Sequence, residues 1–150
     1  MDYVVVLFTP YTVQSGLVES ILFDIRQATP FHVLMQRRIS LTLQHVRQLY
    51  PKLVTADFFP RIVECFIGGE SEFVLLAAEG IHGKVNSIKG KFRFEDGVAL
   101  ATGLRQKYKK DEGSFEFIFH STDSNAESEE TTKCFFGETE FSDAKNGVFF

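Results

Sequence analysis

The chain lacks tryptophan, has only two cysteines among its 150 residues, and contains no long hydrophobic run. The apolar run near its start, residues 4–8, is far too short for a signal peptide or a membrane span. Cys65 and Cys134 have no metal-ligand spacing and form no disulfide framework. We therefore expect two reduced thiols in apolar surroundings and a soluble, cytoplasmic protein with no membrane partner.

Neither sign of charge is in large excess, since the formal net charge is −4. A mildly acidic chain has little general attraction for nucleic acid or anionic lipid. Seventeen phenylalanines, in contrast, supply a packed aromatic interior and exclude a disordered chain. The length predicts one domain, which we place at residues 1–136. Residues 137–150 are predicted to be a C-terminal extension that is packed on the domain or disordered.

Hydrophobic periodicity predicts buried strands that alternate with amphipathic helices. Strands are predicted at residues 3–8, 31–35, 73–78 and 115–120; helices are predicted at 13–27, 40–50, 80–91 and 125–133, with a further helix capped by Asp57. The glycine-flanked segment 97–113 is predicted to be a long surface loop. This order of elements predicts an α/β (α+β) sandwich, with a ferredoxin-like βαββαβ arrangement and a four-stranded antiparallel sheet covered by helices.

The run I-F-H-S-T-D-S at residues 118–124 is the clearest functional signal in the chain. An apolar strand ends there at His120, and a polar turn follows that opens a helix. An imidazole in this place is held by a rigid strand and has hydroxyls and a carboxylate within reach, as a nucleophilic or acid–base histidine requires. In an arbitrary chain such a histidine is more often structural, so its position alone does not decide its role.

Segments spread along nearly the whole domain are similar to those of one family, and they occur in the same order. They are residues 13–18, Tyr50 with residues 57–63, Glu79-Gly80, Leu104-Arg105, residues 118–124 and residues 134–136. The histidine segment is similar to I-I-H-G-S-D-S. Each segment alone is weak, but together they make the chain resemble the nucleoside diphosphate kinases over roughly residues 3–136.

The resemblance implies roles for individual residues. His120 would accept the γ-phosphoryl group of a nucleoside triphosphate and pass it to a nucleoside diphosphate through a phosphohistidine, with Mg²⁺ accompanying the nucleotide. Tyr50 would support the histidine, and Phe58 would stack on the base. Arg105 would hold the phosphates, and Thr122 would replace a serine hydroxyl beside the histidine. Without a nucleotide, Tyr50 and Phe58 are packing residues, and Arg105 is equally well a solvated loop cation.

Several positions depart from the family pattern where that pattern binds phosphate or orients the histidine. The lost residues are a lysine at Thr9, arginines at Ala56 and Ile88, a threonine at Phe94 and an asparagine at Phe117. The carboxylate that orients the histidine is replaced by Thr131, and Glu127 and Glu130 are the candidates to substitute for it. Phe94 and Phe117 are expected to place apolar bulk where phosphate oxygens lie. Losing one preorganised donor commonly slows such chemistry about a thousandfold. We therefore expect a divergent family member that retains His120, has weak or no kinase activity, and has a structural or protein-interaction role.

Two alternatives stay open. One is an active nucleoside diphosphate kinase in which Lys107, Lys109 or Lys110 replaces the missing cations. The other comes from the alternating basic and aromatic residues 89–94, which loosely resemble the RNA-binding motif of ferredoxin-like RNA-recognition domains. The acidic balance of the chain argues against RNA, so nucleic acid is not an expected partner.

The resemblance also implies an assembly. Family members pair through the edge strand and the first helix, here residues 31–38 and 13–27, so a homodimer is expected. Asp96 and Ala101 stand at two proline positions of the loop that builds hexamers. The basic cluster at residues 105–110 would add repulsion around a three-fold axis, so a hexamer is less favoured.

Overall fold

The computed structural model describes residues 1–95, 98–109 and 117–147, with the backbone alone described for 92–95 and 98–101. In chain order the elements are β1 (Asp2–Phe8), α1 (Pro10–Gln14), α2 (Val18–Ala28), β2 (His32–Ile39), α3 (Leu43–Leu49), α4 (Phe59–Phe66), β3 (Ser71–Ala78), α5 (Ile81–Lys89), β4 (Phe92–Glu95), β5 (Val98–Ala101), α6 (Gly103–Lys107), β6 (Phe119–Ser121), α7 (Asn125–Phe136) and α8 (Glu140–Lys145). Among the described helices, none has the length and apolar character needed to cross a bilayer.

The centre of the fold is a four-stranded antiparallel sheet with the strand order β2-β3-β1-β6. Its inner strands are covered on both faces, so β3 is buried throughout and β1 from Val4 onward. Val4 and Val6 pack with α2 and α5, whereas Val5 and Leu7 pack with α3, α4 and α8. This is why both inner strands are continuous apolar runs rather than alternating ones. The ferredoxin-like sandwich predicted from the sequence is confirmed.

The single helix predicted over residues 13–27 is wrong, because this segment forms α1 and α2 with a break between them. The break lies at Gly16, whose φ of 68° places it in the left-handed region that glycine adopts without strain. The helix predicted after Asp57 also begins differently. Phe58 is the residue before α4, no side chain caps that end, and Pro60 fills the first turn, where its missing N–H is not needed.

The long loop predicted over residues 97–113 is wrong for the described part of that segment, which contains β5 and α6. β5 pairs with β4 in a two-stranded sheet of its own. Gly90 and Gly103 then lie so close that a Cβ on Gly103 would be 2.7 Å from the Gly90 Cα. This contact, which side chains would prevent, turns the segment into a compact hairpin and short helix beside α5. Residues 97 and 110–113 lie outside the described ranges.

The chain after β6 returns to the core through two helices. α7 crosses behind the sheet, and α8 follows it with Phe141 and Ala144 buried in the same core as α3 and α4. Cys65 is buried, as predicted, but the prediction of apolar surroundings for Cys134 is wrong because this residue is exposed on α7. Within the part of the chain that the structure describes, neither cysteine forms a disulfide.

Candidate active site

His120 lies in β6, where it pairs with Leu7 of β1. Just beyond it, Val5 N donates a hydrogen bond to Thr122 Oγ1 (2.9 Å), and Thr122 N donates to the Val5 carbonyl (3.1 Å). The side chain of His120 is only 11% exposed, and it lines a cavity of about 670 Å³. The sheet therefore holds the ring rigidly while one side of it stays reachable from the cavity.

Two threonines after β1 fix the backbone that leads into His120. Thr9 Oγ1 donates to the Phe117 carbonyl at 2.6 Å, and Thr12 Oγ1 donates to the Ile118 carbonyl at 2.7 Å. Both threonine side chains are fully buried, and neither lines the cavity. Their hydroxyls satisfy backbone acceptors and position the strand, so the Thr9 hydroxyl is not presented to the cavity.

Tyr50 packs its ring edge against His120, with centroids 4.8 Å apart and an interplanar angle of 78°. The tyrosine follows α3 and is supported from below by Phe66 and Phe117. Its Oη is buried and has no hydrogen-bond partner among the described residues. Burial raises the pKa of the phenol, which therefore keeps its proton as an unused donor. A buried donor without a partner beside the imidazole is suited to an oxygen of a ligand.

Three cationic side chains line the cavity: Lys52, which is exposed, and Lys89 and Arg105, which are partly buried and come from two different helices. Lys89 ends α5, and its Nζ donates to Ser121 Oγ at 2.9 Å and lies 3.9 Å from Asp123 Oδ1. Arg105 comes from α6. Burial lowers the pKa of both groups, and the charge of Arg105 lowers that of Lys89 further. Asp123, Glu127 and Glu130 also line the cavity, but Lys89 and Arg105 are the partly desolvated charges in it, and they favour an anionic ligand.

A carboxylate approaches the far side of the imidazole. Glu127 Oε1 lies 3.9 Å from His120 Nε2, beyond hydrogen-bond distance, and within the described ranges Nε2 is buried without a partner. The other oxygen, Glu127 Oε2, accepts from the backbone N–H of Asp123. Thr131, which stands at the predicted carboxylate position, instead accepts a hydrogen bond from Gln48. Glu127 is therefore the carboxylate that a small movement would bring to His120.

The charge state of His120 follows from these surroundings. Burial, with smaller contributions from the positive charges of Lys89 and Arg105, lowers the pKa of His120 to about 3. The imidazole is therefore neutral throughout the physiological range. Because the neutral form carries the free lone pair, the ring is kept in the state that a nucleophile needs.

Comparison with known proteins decides the family. A sequence model of the family described as nucleoside diphosphate kinase matches residues 2–141. The chain belongs to the nucleoside diphosphate kinase family. Its fold is similar to that of the apo nucleoside diphosphate kinase from Encephalitozoon cuniculi, with a TM-score of 0.75 and 15% identity over 93% of this chain and 91% of that one. It is also similar to the kinase from Aquifex aeolicus, with a TM-score of 0.71 and 18% identity over 93% of this chain and 97% of that one. A search among curated protein sequences finds no match.

The kinase-family residues predicted from the sequence divide into two groups. His120, Tyr50 and Arg105 line one cavity together. Phe58 and Thr122 do not line it. Phe58 packs against the core at the start of α4, and Thr122 Oγ1 bonds to Val5 N and, at 2.6 Å, to Ser128 Oγ. Phe58 and Thr122 therefore stabilise the elements around the cavity and do not face a ligand in it.

Phe117 was expected to fill space that belongs to phosphate oxygens, but its side chain does not line the cavity. It packs against Tyr50 and Phe66 in the core, with centroids 5.7 Å and 6.3 Å away. It thereby supports the tyrosine that supports the histidine. The side chain of Phe94 lies outside the description.

Two cavity cations, Lys52 and Lys89, had no role predicted from the sequence, and Lys89 was considered only as part of the basic–aromatic run at residues 89–94. The available signal was a lysine directly after Ile88, where the family has an arginine. Lys107, which was offered as a substitute cation, instead pairs with Asp24 at 2.8 Å on α2. Lys110 lies outside the described ranges. β4, the centre of the basic–aromatic run, is separate from the main sheet, on whose face an RNA-recognition domain stacks bases.

Proposed function

We propose that the chain is a divergent nucleoside diphosphate kinase that binds nucleotide in the His120 cavity and transfers phosphate only weakly. The observation that carries this proposal is the neutral, rigidly held imidazole of His120 in a cavity that also contains Lys89, Arg105 and the free donor of Tyr50. The family supplies the reaction type, and these residues supply the nucleophile and part of the electrostatic stabilisation.

The reaction begins with a nucleoside triphosphate whose terminal phosphorus lies next to the imidazole. Because Nε2 is shielded, the lone pair of Nδ1 is expected to attack; an N–P bond forms, and the bond to the bridging oxygen breaks with its electron pair leaving on the diphosphate. A small movement of Glu127, now 3.9 Å away, would let it accept a hydrogen bond from the proton on Nε2 and so balance the charge of the phosphohistidine. A second nucleoside diphosphate then takes the phosphoryl group by the reverse step.

Weak phosphoryl transfer is expected because the residues at positions 9 and 88, Thr9 and Ile88, carry no positive charge. The Thr9 hydroxyl is committed to backbone carbonyls, and Ile88 packs against the core. Neither can donate the charge-assisted hydrogen bonds that stabilise the equatorial oxygens of a transferring phosphoryl group. If turnover is this low, the remaining role is that of a nucleotide-responsive structural or interaction module in the cytoplasm.

The family implies Mg²⁺, which would arrive with the nucleotide. No group of three or more histidine, cysteine or acidic side chains suited to a metal is present in the described part of the chain. Asp123, at the mouth of the cavity, is a single exposed carboxylate that fits a cation already held by phosphates. Mg²⁺ would supply charge neutralisation to the phosphates, and Asp123 would help to hold it.

Incubation with γ-labelled ATP tests the proposed function, because only a reactive His120 becomes labelled through an acid-labile bond. Slow labelling that requires His120 supports the proposal. Labelling on another residue, or none, contradicts it.

We also propose that the protein is a homodimer rather than a hexamer. β2 is an outer strand of the sheet, and apolar side chains beside it are exposed: Phe23 of α2 is 60% exposed and Val33 of β2 is 42% exposed. Between them lies a small cavity, of about 230 Å³. An open strand edge next to exposed apolar groups is suited to a two-fold contact with a second copy.

Light scattering should therefore report about twice the mass of one chain, and Phe23→Asp should reduce it to that of a monomer. Leu43→Asp is the matched control, since Leu43 is 41% exposed on α3, which packs on the opposite face of the sheet from α2. A stable six-chain mass, or a dimer that Phe23→Asp leaves intact, would contradict the proposed interface.

A further inference from the structure

Lys89 is placed for contact with a ligand more than for structure. Its side chain is only 16% exposed, and its Nζ donates to Ser121, the residue directly after His120. The nearest carboxylate, Asp123, is 3.9 Å away and itself 67% exposed. An ammonium has three donors, and one neutral hydroxyl with one distant carboxylate leaves this charge incompletely compensated.

The backbone brings this lysine and Arg105 together. A Cβ on Gly90 would lie 1.8 Å from the Thr102 carbonyl oxygen, so the end of α5 touches the start of α6 directly. Lys91 N donates to Thr102 Oγ1 at 2.9 Å, and Thr102 N donates to the Lys91 carbonyl at 3.0 Å. Lys89, directly before Gly90, and Arg105, two residues after Gly103, are therefore held next to each other at the cavity.

Two desolvated positive charges beside a neutral imidazole attract an anion that can reach all three groups. A terminal phosphoryl group has this geometry: it presents several oxygens at once, and its phosphorus can face the ring. A nucleoside base has no negative charge and does not present several oxygens to these groups at once. The pair is therefore directed at phosphate.

We propose that Lys89 is a phosphate-binding residue of this protein, which with Arg105 holds the terminal phosphate of a nucleotide against His120. This inference rests on the proposed function. It assigns phosphate binding to position 89, where the family pattern described above has no cation. Lys89 replaces, from the end of α5, charge that Thr9 and Ile88 do not supply.

Calorimetric titration with Mg-ADP and with adenosine tests the inference on the full chain. Lys89→Gln keeps a donor for Ser121 but removes the charge, and it should weaken ADP binding about tenfold or more while leaving adenosine binding unchanged. Lys89→Arg should restore most of the ADP affinity. Lys107→Met, which removes a surface lysine paired with Asp24, is the control and should match the wild type.

A second readout needs no nucleotide. Because the charge of Lys89 contributes to the lowered pKa of His120, the NMR titration of His120 should move to higher pH in Lys89→Gln and stay near the wild-type value in Lys89→Arg. An unchanged titration, or equal weakening of ADP and adenosine, would overturn the inference and leave the proposed function standing. No ADP binding by the wild type would overturn the proposed function, while the titration would still decide whether Lys89 acts on His120.

Discussion

Purified protein should transfer phosphate from ATP to a nucleoside diphosphate at least about a thousandfold more slowly than a typical family member measured in the same coupled assay. The reason is that the cavity has a phenol and three cations, of which Lys52 is exposed and Lys89 and Arg105 are partly buried, but no donor from position 9, where Thr9 is bonded to the backbone. Phosphoryl transfer depends almost entirely on such donors, because the protein does little covalent chemistry beyond the histidine itself.

His120→Asn is the control for this assay, since it should remove the residual turnover and so exclude a contaminating kinase from the expression host. A rate within about tenfold of a typical member, lost in His120→Asn, would show that Lys89 and Arg105 fully replace the missing groups. In that case the alternative of an active nucleoside diphosphate kinase would be correct.

Acid should destabilise the wild type more than His120→Asn. The folded state holds the pKa of His120 at about 3, mainly by burial, while the pKa of a histidine in the unfolded chain is about 6.5. Between these values the unfolded chain binds more protons than the folded one, so stability falls as the pH falls. From pH 6.5 to 4.5 this amounts to about 2 kcal/mol, at about 1.4 kcal/mol for each pH unit of full difference.

Denaturant unfolding at the two pH values measures this effect as the difference between the wild type and the variant. His45, whose pKa is also lowered by burial, is present in both proteins, so its contribution cancels. Parallel losses of stability in the two proteins would show that His120 titrates normally in the folded state. The cavity would then be better solvated than the structure indicates.

The sheet could be predicted from the sequence because its inner strands are buried on both faces. Residues 4–8 and 73–78 have no polar alternation, which a strand with one solvated face would show. His120 could be recognised because it interrupts this apolar pattern, at the end of a strand and before a polar turn. Both signals are local in the chain, so they need no knowledge of tertiary contacts.

Lys89 and the segment after it could not be predicted in this way. Gly90 and Gly103 are separated along the chain, and nothing in their neighbours indicates that their backbones touch. Gly90 was therefore placed inside the helix predicted over residues 80–91, and Gly103 inside the surface loop predicted over residues 97–113. Likewise, the loss of a lysine at Thr9 was visible, but the hydrogen bonds that make this threonine a support for the His120 strand depend on the folded pairing.

The most direct test of the account is the appearance of label on His120 after incubation with γ-labelled ATP and Mg²⁺. The account predicts a slowly forming, acid-labile and base-stable label that is absent in His120→Asn and retained in His32→Asn, which alters an exposed histidine at the start of β2. Because His120 is neutral down to low pH, labelling should not decline between pH 7 and pH 5 as an ordinary histidine would. A protein that never becomes labelled, or that carries its label on a residue other than His120, would contradict the account.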